Sequence, residues 1–238
     1  MSNARDTAKN LKAGLNVAAA GSIIDVQKAN STVGQISNIG NDFVVGSPTG
    51  SGAGLRFDGT NNMMYASNSL GNARDNAVDL GASSVRFKDL YLGGGAYIGG
   101  TGAANKLSDY ETGTWTPTAA QGASSITIGA GTPVYVKIGS FVHVQVYVTG
   151  SSGSNSSQLW IGGLPFTPIG SALNAGVVMY QNITLSSGRT NLVAYIPAAM
   201  SHIRMYQGGN NVGWHGTTGS NVGNSFNAII SISYRTSA

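Results

Sequence analysis

Two kinds of side chain in this sequence could do chemistry, and they lie apart. The carboxylates Asp75, Asp79, Asp89, Asp109 and Glu111 occupy the middle of the chain, whereas Arg189, Arg204, Tyr206, Trp214 and His215 crowd its last third. Cleaving a glycosidic bond takes two carboxylates flanking it, one as acid and one as nucleophile or base. From Thr112 to Ala238 there is no Asp or Glu, so such a pair has no place in the C-terminal half. The mid-chain acids could meet between copies of the chain, which keeps a polysaccharide depolymerase with an intersubunit site as one alternative. Turn capping and pairing with Arg86, Lys88 or Lys106 account for them more simply. No G-x-S-x-G elbow, P-loop or complete G-x-G-x-x-G occurs, and the chain reads as a non-enzyme.

Metal chemistry has as little to work with. His143, His202 and His215 stand far apart, without H-x-H or H-x-x-x-H spacing, and there is no cysteine. No metal or other cofactor is expected. Binding is the better prospect. "YQGGNNVGWHGTTGSNVGNS", residues 206–225, reads as a long Gly/Asn loop that opens on Tyr206 and carries Trp214 and His215 midway. An indole presented between flexible segments suits stacking on a sugar ring or another flat apolar surface. The alternative is that Trp214 packs beneath its own loop. Arg189 and Arg204 could hold a phosphate or carboxylate by forked hydrogen bonds. Trp160 is expected in the core, and Trp115 where two parts of the chain meet.

The surroundings of these residues are unusual in composition. The 238 residues include 35 glycines, and only 9% are charged, where ordinary globular chains carry about 25%. With 41% hydrophobic residues, the chain is too apolar for a disordered segment and reads as loop-rich β-structure. Residues 1–111 hold all nine carboxylates and nine of the thirteen Lys and Arg, so the formal charge of +4 sits entirely in the C-terminal half. Its four cations, Lys137, Arg189, Arg204 and Arg235, are too few and scattered to track phosphates, which argues against nucleic acid. They would still let that half approach an anionic surface without like-charge repulsion. No signal-type N-terminus opens the chain, and no apolar run nears the ~20 residues of a membrane span. Synthesis in a cytosol without membrane insertion is expected.

Three stretches emerge. Residues 1–34 suit an attachment segment, with Asp6 placed to cap a short helix bearing Ala8, Leu11 and Leu15. Residues 35–105 alternate short apolar pieces with turns, and Leu55-Arg56-Phe57 returns as Val85-Arg86-Phe87 thirty positions on. In "VDLGASSVRFKDLYLGGG" (78–95), Val85 and Phe87 fall on one side of an extended chain, while Leu90 and Leu92 fall on the other. No one-sided core covers both faces; intertwining with copies of the chain would, which makes 35–105 a β-rich shaft. Residues 106–238 hold about eight strand-like runs between Gly, Ser and Asn clusters, and suit a β-sandwich or jelly-roll knob. In "SFVHVQVYVTG", Val142, Val144, Val146 and Val148 share one face.

"NAVDLGASSVRFKDLYLGGG" followed by "KLSDYETGTWTPT" resembles tail fibre proteins of tailed bacteriophages, in which two such elements come in this order. "YVKIGSFVHVQVYV", Gly163 to Thr167 ("GLPFT") and the opening "ARDTA" are similar to segments of the same proteins. The likeness covers residues 76–167 well, the N-terminus weakly and the last seventy residues hardly at all. It implies an all-β homotrimer in the virion tail, assembled in the host bacterial cytoplasm. Its N-terminus would join a tail, baseplate or adaptor protein, and Val85, Phe87, Leu90 and Leu92 would pack in the trimeric shaft. The knob would bind a bacterial surface glycan, lipopolysaccharide or protein, with Trp214, His215, Arg204, Tyr206 and Arg189 as candidate contacts. A fibre or decoration protein on the capsid is the structural alternative.

Overall fold

The computed structural model describes residues 21–49, 51–152 and 155–237. The helix expected behind Asp6 lies outside them. Strand accounts for 55% of the structure and helix for 3%, so the protein is all-β as expected. The chain divides into two compact units between Leu90 and Tyr91, whereas the sequence suggested a division at 105/106.

The first unit is an antiparallel meander of β1 (Gly21–Lys28), β2 (Ser31–Ile39), β3 (Asp42–Gly46), β4 (Gly54–Asp58) and β5 (Met63–Ser67), hydrogen-bonded in chain order. β1 and the start of β2 lie inside the stretch 1–34, so part of the expected attachment segment is sheet. Ala29 and Asn30 join them with φ of 49° and 62°, the left-handed backbone that a two-residue hairpin turn requires.

The two faces of this sheet differ. On one, Arg56 donates from Nε to Oδ2 of Asp42 at 2.6 Å and from Nη1 to the Gly71 carbonyl at 2.9 Å. Ser37 donates to the Ser69 carbonyl at 2.7 Å, so the chain returning after β5 covers this side. Val44 lies buried there. The other face carries two apolar rows in cross-strand register, Phe43–Phe57–Met64 and Ile36–Val45–Leu55–Ala66. Phe43, Val45, Leu55, Phe57 and Met64 are all exposed, and the rings of Phe43 and Phe57 meet at 5.8 Å.

Beyond Ala73 the chain runs irregularly to Gly95, with the amides of Ala82 and Val85 each bonded to the other's carbonyl. The two triplets therefore do not mark a repeated unit: Leu55-Arg56-Phe57 is strand, and Val85-Arg86-Phe87 is not. In the single chain Val85, Phe87, Leu90 and Leu92 stand 71%, 66%, 70% and 53% exposed.

The second unit begins with the small pair β6 (Ala96–Tyr97) and β7 (Lys106–Leu107). Its main body comprises β8 (Tyr110–Thr114), β9 (Thr118–Gln121), β10 (Ala123–Ile128), β11 (Val134–Ile138), β12 (Phe141–Ser152) and β13 (Trp160–Gly162). The chain continues through β14 (Asn174–Ile183), β15 (Asn191–Ile196), β16 (His202–Gly209), β17 (Val212–Gly216) and β18 (Val222–Arg235). Each of the eight strand-like runs contains one strand; β8, β9 and β17 are additional. All eleven belong to one sheet, ordered β8-β11-β12-β18-β14-β15-β16-β13-β9, with β10 on β12 and β17 on β16.

This single sheet replaces the expected two-sheet sandwich. β8 and β9 sit at opposite ends of the path, yet only Trp115, Thr116 and Pro117 join them. Eight strand spacings would hold the ends about 38 Å apart in a flat sheet, whereas four residue steps reach about 14 Å. The sheet must curl, and it forms a half-barrel. Its inner face holds Val142, Val144, Val146 and Val148 of β12, Phe226, Ala228, Ile230, Ile232 and Tyr234 of β18, and Trp115. Trp115 is thus a core residue of this unit. At the rim, buried Lys137 pairs with Asp109 and lies 5.5 Å from the Phe166 ring centroid. Gly163 turns the chain at φ 87°, where a Cβ would overlap the Thr116 carbonyl oxygen, so the "GLPFT" run needs glycine at its head.

Candidate functional site

Alternation decides what the outer face of the half-barrel presents. In β16, Ile203, Met205 and Gln207 are buried in the curl, which turns His202, Arg204 and Tyr206 outward. β15 buries Leu192, Ala194 and Ile196 and turns Val193 and Tyr195 out. Cross-strand register then builds two outer rows: Ala175–Tyr195–Arg204–Trp160–Gln121 and Val177–Val193–Tyr206–Gly216.

The stretch 206–225 is not a long loop. β16 runs on to Gly209, turns at Asn210–Asn211, where Asn211 has φ 53°, and returns as β17. A single 3-10 turn over Gly219–Asn221 leads into β18, held by reciprocal bonds between Thr218 and Asn221. β17 pairs Gly216 with Tyr206 and His215 with Gln207. Trp214, two residues from Gly216, therefore shares the outer face with Tyr206. His215 is placed on the opposite side and does not join them. The indole of Trp214 is 86% exposed, so it does not pack beneath its own chain.

Trp214, Tyr206, Tyr195, Val193 and the strand entry Leu173–Ala175 surround an open apolar depression of about 260 Å³. Tyr195 and Tyr206 meet edge to face at 5.5 Å and make its floor rigid. Arg189 does not face it as a free cation. Its Nη1 donates to the Gly213 carbonyl, which fixes the hairpin next to Trp214.

Arg204, directly across from Tyr195, belongs to a second cluster on this face. Its guanidinium carbon lies 4.5 Å from the Trp160 ring centroid, and its Nε donates to Nε2 of His202 at 3.0 Å. His202 stacks on the same indole at 4.2 Å and 11°. Burial first, and then the charge of Arg204, hold the His202 pKa below its ordinary value, which keeps the ring a neutral acceptor. Trp160, expected in the core, is instead half-buried on the outer face, and its Nε1 donates to Gln158 at 3.2 Å.

The depression thus unites two sequence candidates, Trp214 and Tyr206, with Arg204 one strand across from Tyr195 and outside the lining; His215 falls outside and Arg189 acts behind it. Tyr195, Trp160, His202, Val193 and Leu173 were not among the candidates. The alternation of "NLVAYI" and "HIRMYQ" carried the signal for Tyr195 and His202. For Leu173, nothing before the fold pointed to it.

The remaining chemistry-bearing groups take ordinary structural roles. Asp89 lies 3.4 Å from Lys88, and Tyr135 donates to Glu111 at 2.5 Å, a bond that raises the tyrosine pKa. His143 faces outward, bonding Ser233 at 3.0 Å and Ser231 at 3.4 Å. Among the described residues, no three His, Asp or Glu gather to hold a metal, and no helix is long and apolar enough to cross a membrane. No protein-family model matches the chain, and no curated protein or solved structure matches it.

Proposed function

We propose that the chain is a homotrimeric tail fibre protein of a tailed bacteriophage, whose C-terminal unit adsorbs to a glycan or lipopolysaccharide on the bacterial surface. The N-terminal residues join it to a tail or baseplate protein. The observation that carries the reading is the bare face of the five-stranded sheet. Among the described residues of the first unit, Val44 is the only buried hydrophobic side chain, while Phe43, Val45, Leu55, Phe57 and Met64 face out. A sheet face of this kind must be buried against another layer, and copies of the same chain supply it in a shaft. Val85, Phe87, Leu90 and Leu92 have the same need. The motif pair within residues 76–118 supports the same assignment by its resemblance to phage fibres.

The test is direct. Light scattering at micromolar concentration should give the mass of three chains, and the purified protein should compete with phage particles for host cells. A stable monomer would sink the trimer. Adsorption unaffected by a large excess of folded protein would sink the receptor role.

A further inference from the structure

Resting on that adsorption reading, we infer that the Trp214 depression binds an anionic sugar unit, with its apolar ring face on the aromatic side chains and its carboxylate or phosphate on Arg204. The aromatic half of the site is built to be met. Trp214 stands 86% exposed on a hairpin that Arg189 ties down through the Gly213 carbonyl. Two residues beyond Trp214, the Gln158 side chain packs so close to Gly216 that a Cβ there would make it shift. An indole held out on a fixed support, beside two tyrosines packed edge to face, is a preorganised stacking surface. Its concavity of about 260 Å³ suits one ring and its substituents better than a flat partner.

The anionic half follows from where the positive charges go. Of the four cations beyond Thr112, Lys137 is paired with Asp109, Arg189 with the Gly213 carbonyl, and Arg235 with the Ser140 hydroxyl at 3.3 Å. Arg204, like Arg189 and Arg235, has no ion pair among the described residues, and the sequence from 112 to 238 offers no carboxylate. Of the three, Arg204 alone stands beside the depression as the cross-strand partner of a lining residue, Tyr195, with its guanidinium on the outer face. Its plane is nonetheless set, by the bond from Nε to His202 and by the Trp160 indole. That leaves the forked end of the guanidinium for an anion, the geometry in which arginine binds carboxylate or phosphate best. Arg204 is the cross-strand partner of Tyr195, so their backbones lie one strand spacing of ~4.8 Å apart, with the guanidinium held over Trp160 on the next strand. The anionic substituent would reach Arg204 from the edge of a ring seated in the depression.

The test uses the full-length chain with oligogalacturonate and oligoglucuronate against their carboxyl-reduced forms, and phosphomannan against its dephosphorylated form. Binding is read by calorimetry. At least one acidic probe should bind roughly tenfold or more tightly than its neutral counterpart, the size of a charge-assisted contact. Arg204→Gln should remove that discrimination, and Trp214→Ala should weaken both members of the pair, with oligomer mass and thermal stability unchanged. Preference for a uronate or for phosphomannan identifies the anion. Equal binding of acidic and neutral probes, or discrimination that survives Arg204→Gln, overturns the inference. So does binding of no saccharide with Trp214-dependent binding to phosphatidylglycerol vesicles. If Trp214→Ala abolishes adsorption to host cells but no probe discriminates, the anionic class fails and the adsorption reading stands. If the probes discriminate and both variants adsorb normally, the adsorption reading fails and the saccharide site stands.

Discussion

The two sheets solve the same problem to different degrees. Both are antiparallel, with small residues in the turns between strands. The eleven-stranded sheet curls until its inner faces meet, and nineteen buried hydrophobic residues form one cluster inside it. The five-stranded meander covers its polar side with the chain returning after β5 and leaves its apolar side bare. Length does not explain the contrast, since five strands can close on a helix or a second sheet. Among the described residues of that unit, no further strand or helix lies on the bare face. That contrast, one core complete and the other open among the described residues, is what the proposed trimer would resolve.

Four measurements would break or sharpen this contrast, taken from the largest effect down. Phe57→Asp, on the bare face, should reduce the scattering mass from three chains to one. A free single sheet would tolerate it within about 0.5 kcal/mol, as exposed sites do. An unchanged mass would leave the two sheets alike in needing no partner. Ile230→Ala, inside the curl, should cost about 2–5 kcal/mol by cavity formation. That loss should appear in denaturant melts of the second unit whatever the protein concentration, whereas the Phe57→Asp defect should scale with it.

Asp109→Asn should come third. It leaves the Lys137 ammonium buried without its counter-charge. A fully buried pair broken this way costs ~3–5 kcal/mol, but Asp109 is 46% exposed, so about 1–2 kcal/mol is expected. Replacing both partners, with Lys137→Met as the second change, should recover part of the loss. The smallest effect concerns His202. Its folded pKa lies below the ordinary 6.5, so the unfolded chain binds protons more readily between the two values. The stability it contributes is complete above 6.5 and is lost as the pH falls through the depressed folded value. Thermal melts at pH 7.5 and 5 should show a modest fall that His202→Phe reduces. A rise on acidification would place the ring in a different environment.

The second sheet was legible because period-2 alternation is strict wherever one face is fully buried. Val142 to Val148, and Phe226 to Tyr234, appear in the sequence as they stand in the fold. β17 was hidden, because Val212-Gly213-Trp214-His215-Gly216 buries nothing and carries two glycines. The turn that makes it a strand depends on Asn211 accepting positive φ. The misplacement of Trp160 has a similar cause. Large apolar type alone suggests the core, whereas its neighbour Ile161 takes the inward position and leaves the indole outside. Within the candidate site, Trp214, Tyr206 and Arg204 were recognisable by type. That His215 points away and that Arg189 serves as a tether are matters of register, which composition does not carry.

The strand orders also set a sequence of events. The five-stranded meander pairs only neighbours along the chain, so it can form soon after its residues leave the ribosome. The centre of the half-barrel is the pairing of β12 with β18, which joins Phe141 to Arg235 and Gly150 to Phe226. Such high-contact-order ladders form late, and this one cannot close until the residues of β18 have been made. If the chain assembles with copies of itself as proposed, neighbouring chains on one message would display their five-stranded sheets to each other while their second units are still unfolded. In the proposed trimer, assembly would then start at the first unit, before the half-barrel and its outer face exist.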